Sequence, residues 1–320
     1  MALRMTRNAV RRAIAWIVAL AAAQLLVNGT AIAQPVDDLE RDDSLVLSIA
    51  WRLQTANAAY CARTTTATGI QLQDTAVFAD PAAARAAYGL SGDIFIGALA
   101  LTGPGTAAGL TVNTTVAAID GKPLAAIPAP SPRTPFARLA RVQAMLDDAS
   151  ARDGAVILTT GDGRVIPVSA IPACHVTVEV DDGRNYARSV RDEIWIGRRH
   201  IAETGGDHDL LAAMIAHEMA HAVLDHQAIL IAGHGSTAVA LHTEHEADRL
   251  SVWLLANAGF PPEAAINYQR TVMARHQGFL AIDPTHGNWR ERARIIADER
   301  AALMAAPDGD WAHHFRRETE

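Results

Sequence analysis

Basic residues are scarce in this chain, which limits the partners it can bind. Of its 320 residues, 28 are Lys or Arg and 35 are Asp or Glu, so the formal net charge is -7. Proteins that bind nucleic acids use clustered Lys and Arg side chains to neutralise phosphates. We therefore expect no nucleic-acid partner for a chain of this charge.

Long apolar runs are also scarce, and the one candidate lies near the N-terminus. Several arginines precede the apolar run at 13–27, which leads to the small residues AIA just before Gln34. This arrangement predicts a secretory signal peptide over residues 1–33 and export to the periplasm. The run is shorter than the roughly 20 residues that span a membrane. An uncleaved signal that anchors the chain in the inner membrane is the alternative, and we expect membrane association only in that case.

Cysteine is almost absent, since Cys61 and Cys174 are the only two in the chain. Neither directly follows the N-terminal apolar run, which argues against a lipoprotein. An exported protein can form a disulfide, and two buried free thiols are the alternative at this stage.

The remaining composition is that of a globular protein with a sizeable core. The chain is 50% hydrophobic, and its mean hydropathy is +0.07. At this length it can form one large domain or two ordinary ones. We find no internal repeat, and alanine is the only marked compositional bias.

Hydrophobic periodicity and turn residues divide the chain into helical and β-rich stretches. The predicted helices span about 40–60, 135–151, 207–226, 236–258, 262–277 and 288–305. The predicted strands include AVILTT (155–160), RVIPVSA (164–170), CHVTVEV (174–180) and EIWIG (193–197). We expect a long connection between the last two strands.

The stretch AAMIAHEMAHAVLDH (212–226) carries the most specific chemical pattern. Residues four apart on a helix lie on one face, so His217 and His221 can direct imidazole nitrogens at one metal ion. Glu218 lies about 100° around the helix from His217, where it can reach a water at the metal. Metalloproteases use this arrangement, with the Glu as general base.

A catalytic zinc needs a third protein ligand and one open position. One class of zinc proteases would have Gly at 224 and His at 227, but this chain has Leu and Gln there, which excludes that class. A second class takes a Glu from another helix, and Glu244 in LHTEHEADRL meets that need. Asp248 lies four residues later on the same face and can accept the second ring N–H of either ligating histidine.

Other potential ligands lie close by in sequence. His226 is about 140° from the ligand face, and His245 is about 100° from Glu244, so we interpret both as solvated or packed histidines. Glu246 is the stronger rival to Glu244. Its neighbour Asp248 is only two residues away, however, and so lies on the wrong face to support it.

HEMAH and the downstream EHEAD together resemble the gluzincin metalloproteases of metallopeptidase family forty-eight, which include the CAAX prenyl protease and the heat-shock protease HtpX. The soluble periplasmic branch is the more similar, and the resemblance covers about residues 174–305. It implies a mainly helical zincin domain with a small sheet, one Zn²⁺ per chain, and protein or peptide substrates. It also implies that the zinc ligands are His217, His221 and Glu244, with Asp248 in support and Glu218 as the base.

The resemblance extends to two further stretches. THGNWRER is similar to the family's T-H-P pattern with an Arg six residues after the His, which implies active-site roles for His286 and Arg292. NYAR and EIWIG occupy the places of the family's substrate-binding segment. This implies that Asn185, Trp195 and Gly197 contact the substrate, which would pair with the EIWIG strand along its edge.

A second resemblance lies upstream. The stretch GPGTAAGLTVNTTVAAIDGKPL (103–124) is similar to bacterial PDZ domains, over about 85 residues. Such domains add the C-terminal end of a peptide to an open sheet edge. The resemblance implies that Phe95, Ile96 and Gly97 bind C-terminal peptides.

These resemblances together imply an α+β fold in which a β-rich PDZ-like module is inserted into a mainly helical zincin protease domain with a small sheet. Cys61 and Cys174 would then flank the insertion, and we expect a disulfide between them. The expected segments are a signal peptide (1–33), an N-terminal helical part of the protease domain (34–84), the PDZ-like domain (85–171) and the zinc metalloprotease domain (172–320).

The expected function is zinc-dependent hydrolysis of peptide bonds in misfolded or unassembled proteins of the cell envelope. The alternative is a non-catalytic or latent zinc-containing chaperone or adaptor that uses the PDZ-like module. In that case a fourth protein ligand, such as one of the extra histidines, would fill the water position.

Overall fold

The computed structural model describes residues 36–181, 187–276, 285–306, 308 and 310–317. The predicted signal peptide and Asn185 lie outside the described residues. The chain is α+β with small sheets, as expected.

Helices form most of the described chain. They are α1 (Val36–Ala56), α2 (Pro81–Tyr88), α3 (Pro104–Ala107), α4 (Ala137–Asp153), α5 (Arg198–Glu203), α6 (His208–Val223), α7 (His226–Ala232), α8 (Thr237–Asn257), α9 (Glu263–Tyr268), α10 (Trp289–Ala305) and α11 (Trp311–His314). A π-helical turn (Gln269–Met273) and a last α-helical turn (Ala274–His276) continue α9. Of the helices in the described ranges, none combines the length and the apolar character needed to cross a membrane.

The strands of the described residues form small separate sheets. β1 (Thr64–Ala67) pairs with β8 (Ile171–Cys174), and β2 (Ile70–Asp74) pairs with β3 (Ile94–Leu99), both antiparallel. An antiparallel sheet has the order β5 (Lys122–Pro123), β4 (Val116–Ile119), β6 (Ala155–Thr160), β7 (Val165–Ser169). In the last sheet, β11 (Glu193–Gly197) lies between β9 (Thr177–Asp181), which is parallel to it, and β10 (Ala187–Val190), which is antiparallel.

Two hydrophobic clusters organise these elements. The helical lobe packs α1, α5, α6 and α8–α10 around the sheet of β9 and β11, with Leu53, Met214 and Trp253 fully buried. The β-rich lobe packs β2, β3, β4, β6 and β7 against α4, around Leu146 and Leu158. Each such buried side chain stabilises the fold by about 1.5–3 kcal/mol relative to an exposed one. Because β2 already belongs to the β-rich lobe, this lobe begins upstream of residue 85.

The helix predicted at 207–226 is interrupted. Asp207 caps α6 by accepting hydrogen bonds from two backbone N–H groups of its first turn, but the helix ends at Val223. Asp225 has a φ of +52°, in the left-handed region that a helix cannot contain, and α7 begins at His226. The break therefore gives His226 a direction that a continuous helix would not.

The strand EIWIG does not form a sheet edge. The connection that precedes it in sequence contains a strand of its own, β10, which pairs with β11 on the side away from β9. The expectation of a free substrate edge at Trp195 is therefore wrong, because Trp195 lies between Arg188 of β10 and Glu179 of β9. Gly197 lies opposite Asp181 of β9. The two outer strands of this sheet, among the described residues, are β10 and β9.

The strand at Phe95–Gly97 is also enclosed. On one side it pairs with β2, where Ile96 lies opposite Leu72. On the other side Ile96 N–H donates to Thr114 O, and Ile96 O accepts from Asn113 N–H. The structure therefore corrects the expectation of an open edge at Ile96, where an extended peptide would find its backbone partners already taken.

A disulfide joins Cys61 to Cys174, 113 residues apart in sequence. Cys61 follows α1 and Cys174 ends β8, so the bond lies where the chain leaves the helical lobe for the β-rich lobe and where it returns.

Replacing both cysteines by Ala is expected to lower the free energy of unfolding by about 2–4 kcal/mol, because closing so long a loop restricts the unfolded chain. Urea unfolding of the double variant and of the oxidised and reduced wild type measures this. Equal midpoints for all three proteins would contradict the expectation.

Candidate metal centre

Helix α6 presents two histidines on one face. Its apolar residues bury most of the helix in the core of the helical lobe, and His217 and His221 follow one another by one turn. Their Nε2 atoms lie 3.2 Å apart, and the side chains are 16% and 13% exposed. The two nitrogens therefore converge on one small volume at the helix surface.

Helix α8 packs on α6 and adds a carboxylate to this volume. Glu244 Oε2 lies 3.4 Å from His217 Nε2, and Glu244 Oε1 lies 3.5 Å from His221 Nε2. One ligand atom from each of the three residues lies within 4.8 Å of the others. The structure thus brings together the three side chains that the sequence predicts as ligands.

The donor set and its charge fit a divalent cation. Glu244 Oε2 is buried, and its contacts with His217 Nε2 at 3.4 Å and Arg292 Nη1 at 3.1 Å are those of an anion that faces positive charge. Burial by itself would lower the pKa of His217, but hydrogen bonds to Asp248 and Glu244 raise it to about 10. The surroundings of the His217 ring therefore favour positive charge. Two imidazoles and one carboxylate suit zinc and related transition metals.

Asp248 supports His217 and not His221. Its Oδ1 lies 3.1 Å from His217 Nδ1, which leaves Nε2 to face the other ligands. Such a contact fixes the tautomer and the ring orientation of a metal-ligating histidine. The structure thus selects between the two partners that the sequence left open.

Arg292 of α10 binds both carboxylates of α8. Its Nε and Nη2 donate to Asp248 at 2.6 and 2.7 Å, and its Nη1 lies 3.1 Å from Glu244 Oε2. Burial by itself would raise the pKa of Glu244, but Arg292 and the two histidines hold it well below its ordinary value. Glu244 is therefore an anion. Because the guanidinium is committed to these contacts, Arg292 orients the ligands.

His226 and Glu246 extend the site behind His221, which the sequence did not predict. His226 Nδ1 lies 2.8 Å from His221 Nδ1, and its Nε2 lies 3.3 Å from Glu246 Oε2. Arg317 Nη2 lies 3.4 Å from the same Oε2 of Glu246 and is the last member of this row of polar contacts. If His221 Nδ1–H donates to His226, then His226 Nε2–H donates to Glu246, and His221 Nε2 is left as a lone-pair donor.

Glu218 follows His217 on α6, and its carboxyl group interacts electrostatically with His217 and Glu244. Burial raises the pKa of its carboxyl group above the ordinary value; His217 opposes this rise, and Glu244 adds to it. The side chain of His286 is exposed, and together with Arg292 it acts electrostatically on Glu218 against the effect of burial on the pKa of Glu218. His286 O accepts a hydrogen bond from Arg292 Nη1 at 3.3 Å, which ties this segment to the site.

A cavity of about 210 Å³ adjoins the site. Its lining includes Ser189 and Val190 of β10 together with His221 and His226. β10, one of the two outer strands of its sheet, therefore lies on the same cavity as His221. Trp195 lies in the next strand, where the Arg188 guanidinium packs over its ring at 4.7 Å from the centroid.

No protein-family model matches this chain, and no curated protein is significantly similar to it in sequence.

Proposed function

We propose that this chain is a zinc-dependent endopeptidase. The observation that carries the proposal is the convergence of two histidines from one helix and a glutamate from another, together with the electrostatic interaction of Glu218 with His217 and Glu244. The cluster supplies three protein ligands from the described residues. Structural zinc sites are closed by four, whereas catalytic sites use three and keep one position open.

His217, His221 and Glu244 would hold the metal. When bound, zinc polarises the scissile carbonyl and lowers the pKa of its water toward about 7. Asp248 and His226 keep the Nδ1 atoms of the two histidines occupied. Both Nε2 atoms are then available as ligands.

Glu218 is the proposed general base. A carboxylate takes up a proton more effectively when its pKa is raised toward the working pH, and burial has this effect on Glu218. It would remove a proton from the attacking water and deliver it to the leaving amine. The reaction therefore consumes one water for each peptide bond and regenerates Glu218.

His286 is the proposed donor to the oxyanion. Its exposed ring and its electrostatic interaction with Glu218 support a position at the open side of the site. One such donor commonly stabilises the transition state by about 2.7–4 kcal/mol. Arg292 is instead a positioning residue, because Asp248 and Glu244 occupy its donors.

Strand β10 is the proposed substrate edge. It is one of the two outer strands of its sheet, and it is the one whose residues Ser189 and Val190 line the cavity that reaches His221. An extended peptide that paired with β10 would place its backbone beside the metal ligands. The expected substrates are misfolded or unassembled proteins, which offer extended segments. The disulfide is consistent with the proposed export to the periplasm.

Cleavage of denatured casein by the full chain tests the proposal. The activity is expected to disappear with a chelator, to return with added Zn²⁺, and to be absent in His221→Ala. His208→Ala alters an exposed histidine at the start of α6 and serves as the control. A folded, zinc-loaded wild type that does not cleave would overturn the proposal and favour the chaperone or adaptor alternative.

His226→Ala tests the hydrogen-bonded chain behind His221. Loss of such a supporting partner typically weakens metal binding about 10–100-fold. The free Zn²⁺ concentration that half-restores cleavage to the metal-free protein is therefore expected to rise by about that factor. His208→Ala should leave it unchanged, and equal values for the two variants would show that His226 merely fills space.

A further inference from the structure

A second cluster of metal-ligating side chains lies on α5 and at the end of α9. Glu203 Oε2 is 2.7 Å from His276 Nε2 and 3.6 Å from His200 Nδ1. One ligand atom from each of these residues lies within 4.8 Å of the others. The side chain of His200 is 12% exposed and that of His276 is 41% exposed, so the cluster opens to solvent on one side.

Tyr268 orients His200 within this cluster. Its hydroxyl oxygen lies 3.1 Å from His200 Nε2, and the residue is buried in the core of the helical lobe. When Nε2 carries the ring proton and donates it to the phenol oxygen, Nδ1 has its lone pair directed toward Glu203. Metal-ligating histidines almost always have such a partner for the second nitrogen.

The π-helical turn after α9 places His276 on the face of Tyr268. In a regular α-helix, residues eight apart differ in direction by about 80°. A π-helical turn accommodates one extra residue, which removes about 100° and leaves a difference of about 20°. Helix irregularities of this kind often occur at functional sites. Here the turn at Gln269–Met273 brings the side chains of Tyr268 and His276 to the side of the helix that faces His200. The imidazole rings of His200 and His276 stack, with their centroids 5.4 Å apart.

Two arginines lie next to Glu203, and the atoms of Glu203 that they contact differ from Oε2, the oxygen that faces the two histidines. Arg199 Nε is 3.6 Å from Oε1, and Arg275 Nη2 donates to the backbone oxygen of Glu203 at 2.6 Å. The other carboxylate oxygen, Oε2, faces His276 and His200. One carboxylate oxygen and two ring nitrogens thus lie within 4.8 Å of one another.

We propose that His200, Glu203 and His276 bind a second divalent cation of the zinc class and thereby join α5 to the end of α9. Two imidazoles and one carboxylate are a donor set that zinc and neighbouring transition metals accept, with water in the remaining position. This site shares no residue with the ligand set of the proposed catalytic zinc. It therefore goes beyond the proposed function and does not depend on it.

Metal analysis of the full chain, equilibrated in buffered Zn²⁺, tests this site. We expect about two zinc ions per chain in the wild type, and one fewer in Glu203→Gln and in His276→Ala. His221→Ala is also expected to lose one, from the first site. In the His221→Ala background, Co²⁺ should give a visible absorption spectrum that Glu203→Gln removes. The controls are His208→Ala and Glu193→Gln, which alter exposed residues.

The outcomes separate the two sites. Unchanged zinc content in folded Glu203→Gln and His276→Ala would overturn the second site, and the contact between Glu203 and His276 would then be an ordinary hydrogen bond. Full zinc content in His221→Ala, with one ion lost in Glu203→Gln, would support the second site and contradict the first.

Discussion

Replacing Glu218 by Gln is expected to lower kcat for casein cleavage by about 10²–10⁴-fold, the range that a positioned general base contributes. The amide has nearly the same shape, but it cannot take up the proton of the attacking water. Zinc content should stay at the wild-type value, because Glu218 is not among the residues that converge as ligands. Kinetics and metal analysis of the same preparation measure both quantities.

Glu291→Gln is the matched control for this substitution. Glu291 is exposed on the first turn of α10, and the same change there should leave both cleavage and zinc content unchanged. Undiminished cleavage by Glu218→Gln would remove Glu218 from the mechanism. Loss of zinc together with activity would show that Glu218 helps to hold the metal.

Replacing Arg292 by Met is expected to lower the free energy of unfolding by about 3–5 kcal/mol, because removing one partner of a buried ion pair leaves the other without compensation. Arg292 is 3% exposed, and its two carboxylate partners are also buried. The loss should be larger in the metal-free protein than in the zinc-loaded protein, since zinc compensates Glu244. Urea unfolding of both forms measures the difference.

Arg294→Met is the matched control on the same helix. Arg294 pairs with Asp298 at 2.8 Å, but both side chains are about two-thirds exposed. Exposed pairs of this kind contribute about 0–1 kcal/mol, so the control should be close to the wild type. Equal stability of the Arg292 and Arg294 variants would show that the buried network does not hold α8 and α10 together.

The relative positions of site residues that lie on the same helix could be predicted from the sequence. The spacing of His217 and His221 depends only on the helix period, and so does that of Glu244 and Asp248. The structure brings the predicted ligands together because α6 and α8 pack side by side in one core. Asp248 contacts His217 because of the way in which the two helices pack, and the residue spacing within each helix does not determine that packing.

The remaining parts of the site depend on features that periodicity does not reveal. A continuous helix would direct His226 away from the ligands, and the left-handed Asp225 changes that direction. Strand β10 lies in a stretch for which the sequence predicts a connection, so the sequence also predicts β11 at an edge, whereas it is the central strand of its sheet. The cluster of His200, Glu203 and His276 joins residues more than 70 positions apart and depends on a π-helical turn.

The most direct measurement is a crystal structure of the zinc-loaded chain, with anomalous scattering recorded at the zinc edge. We predict a peak bound by His217, His221 and Glu244, with a solvent molecule in the fourth position next to Glu218. A fourth protein side chain in that position, or no peak among these three residues, would contradict a zinc-dependent endopeptidase.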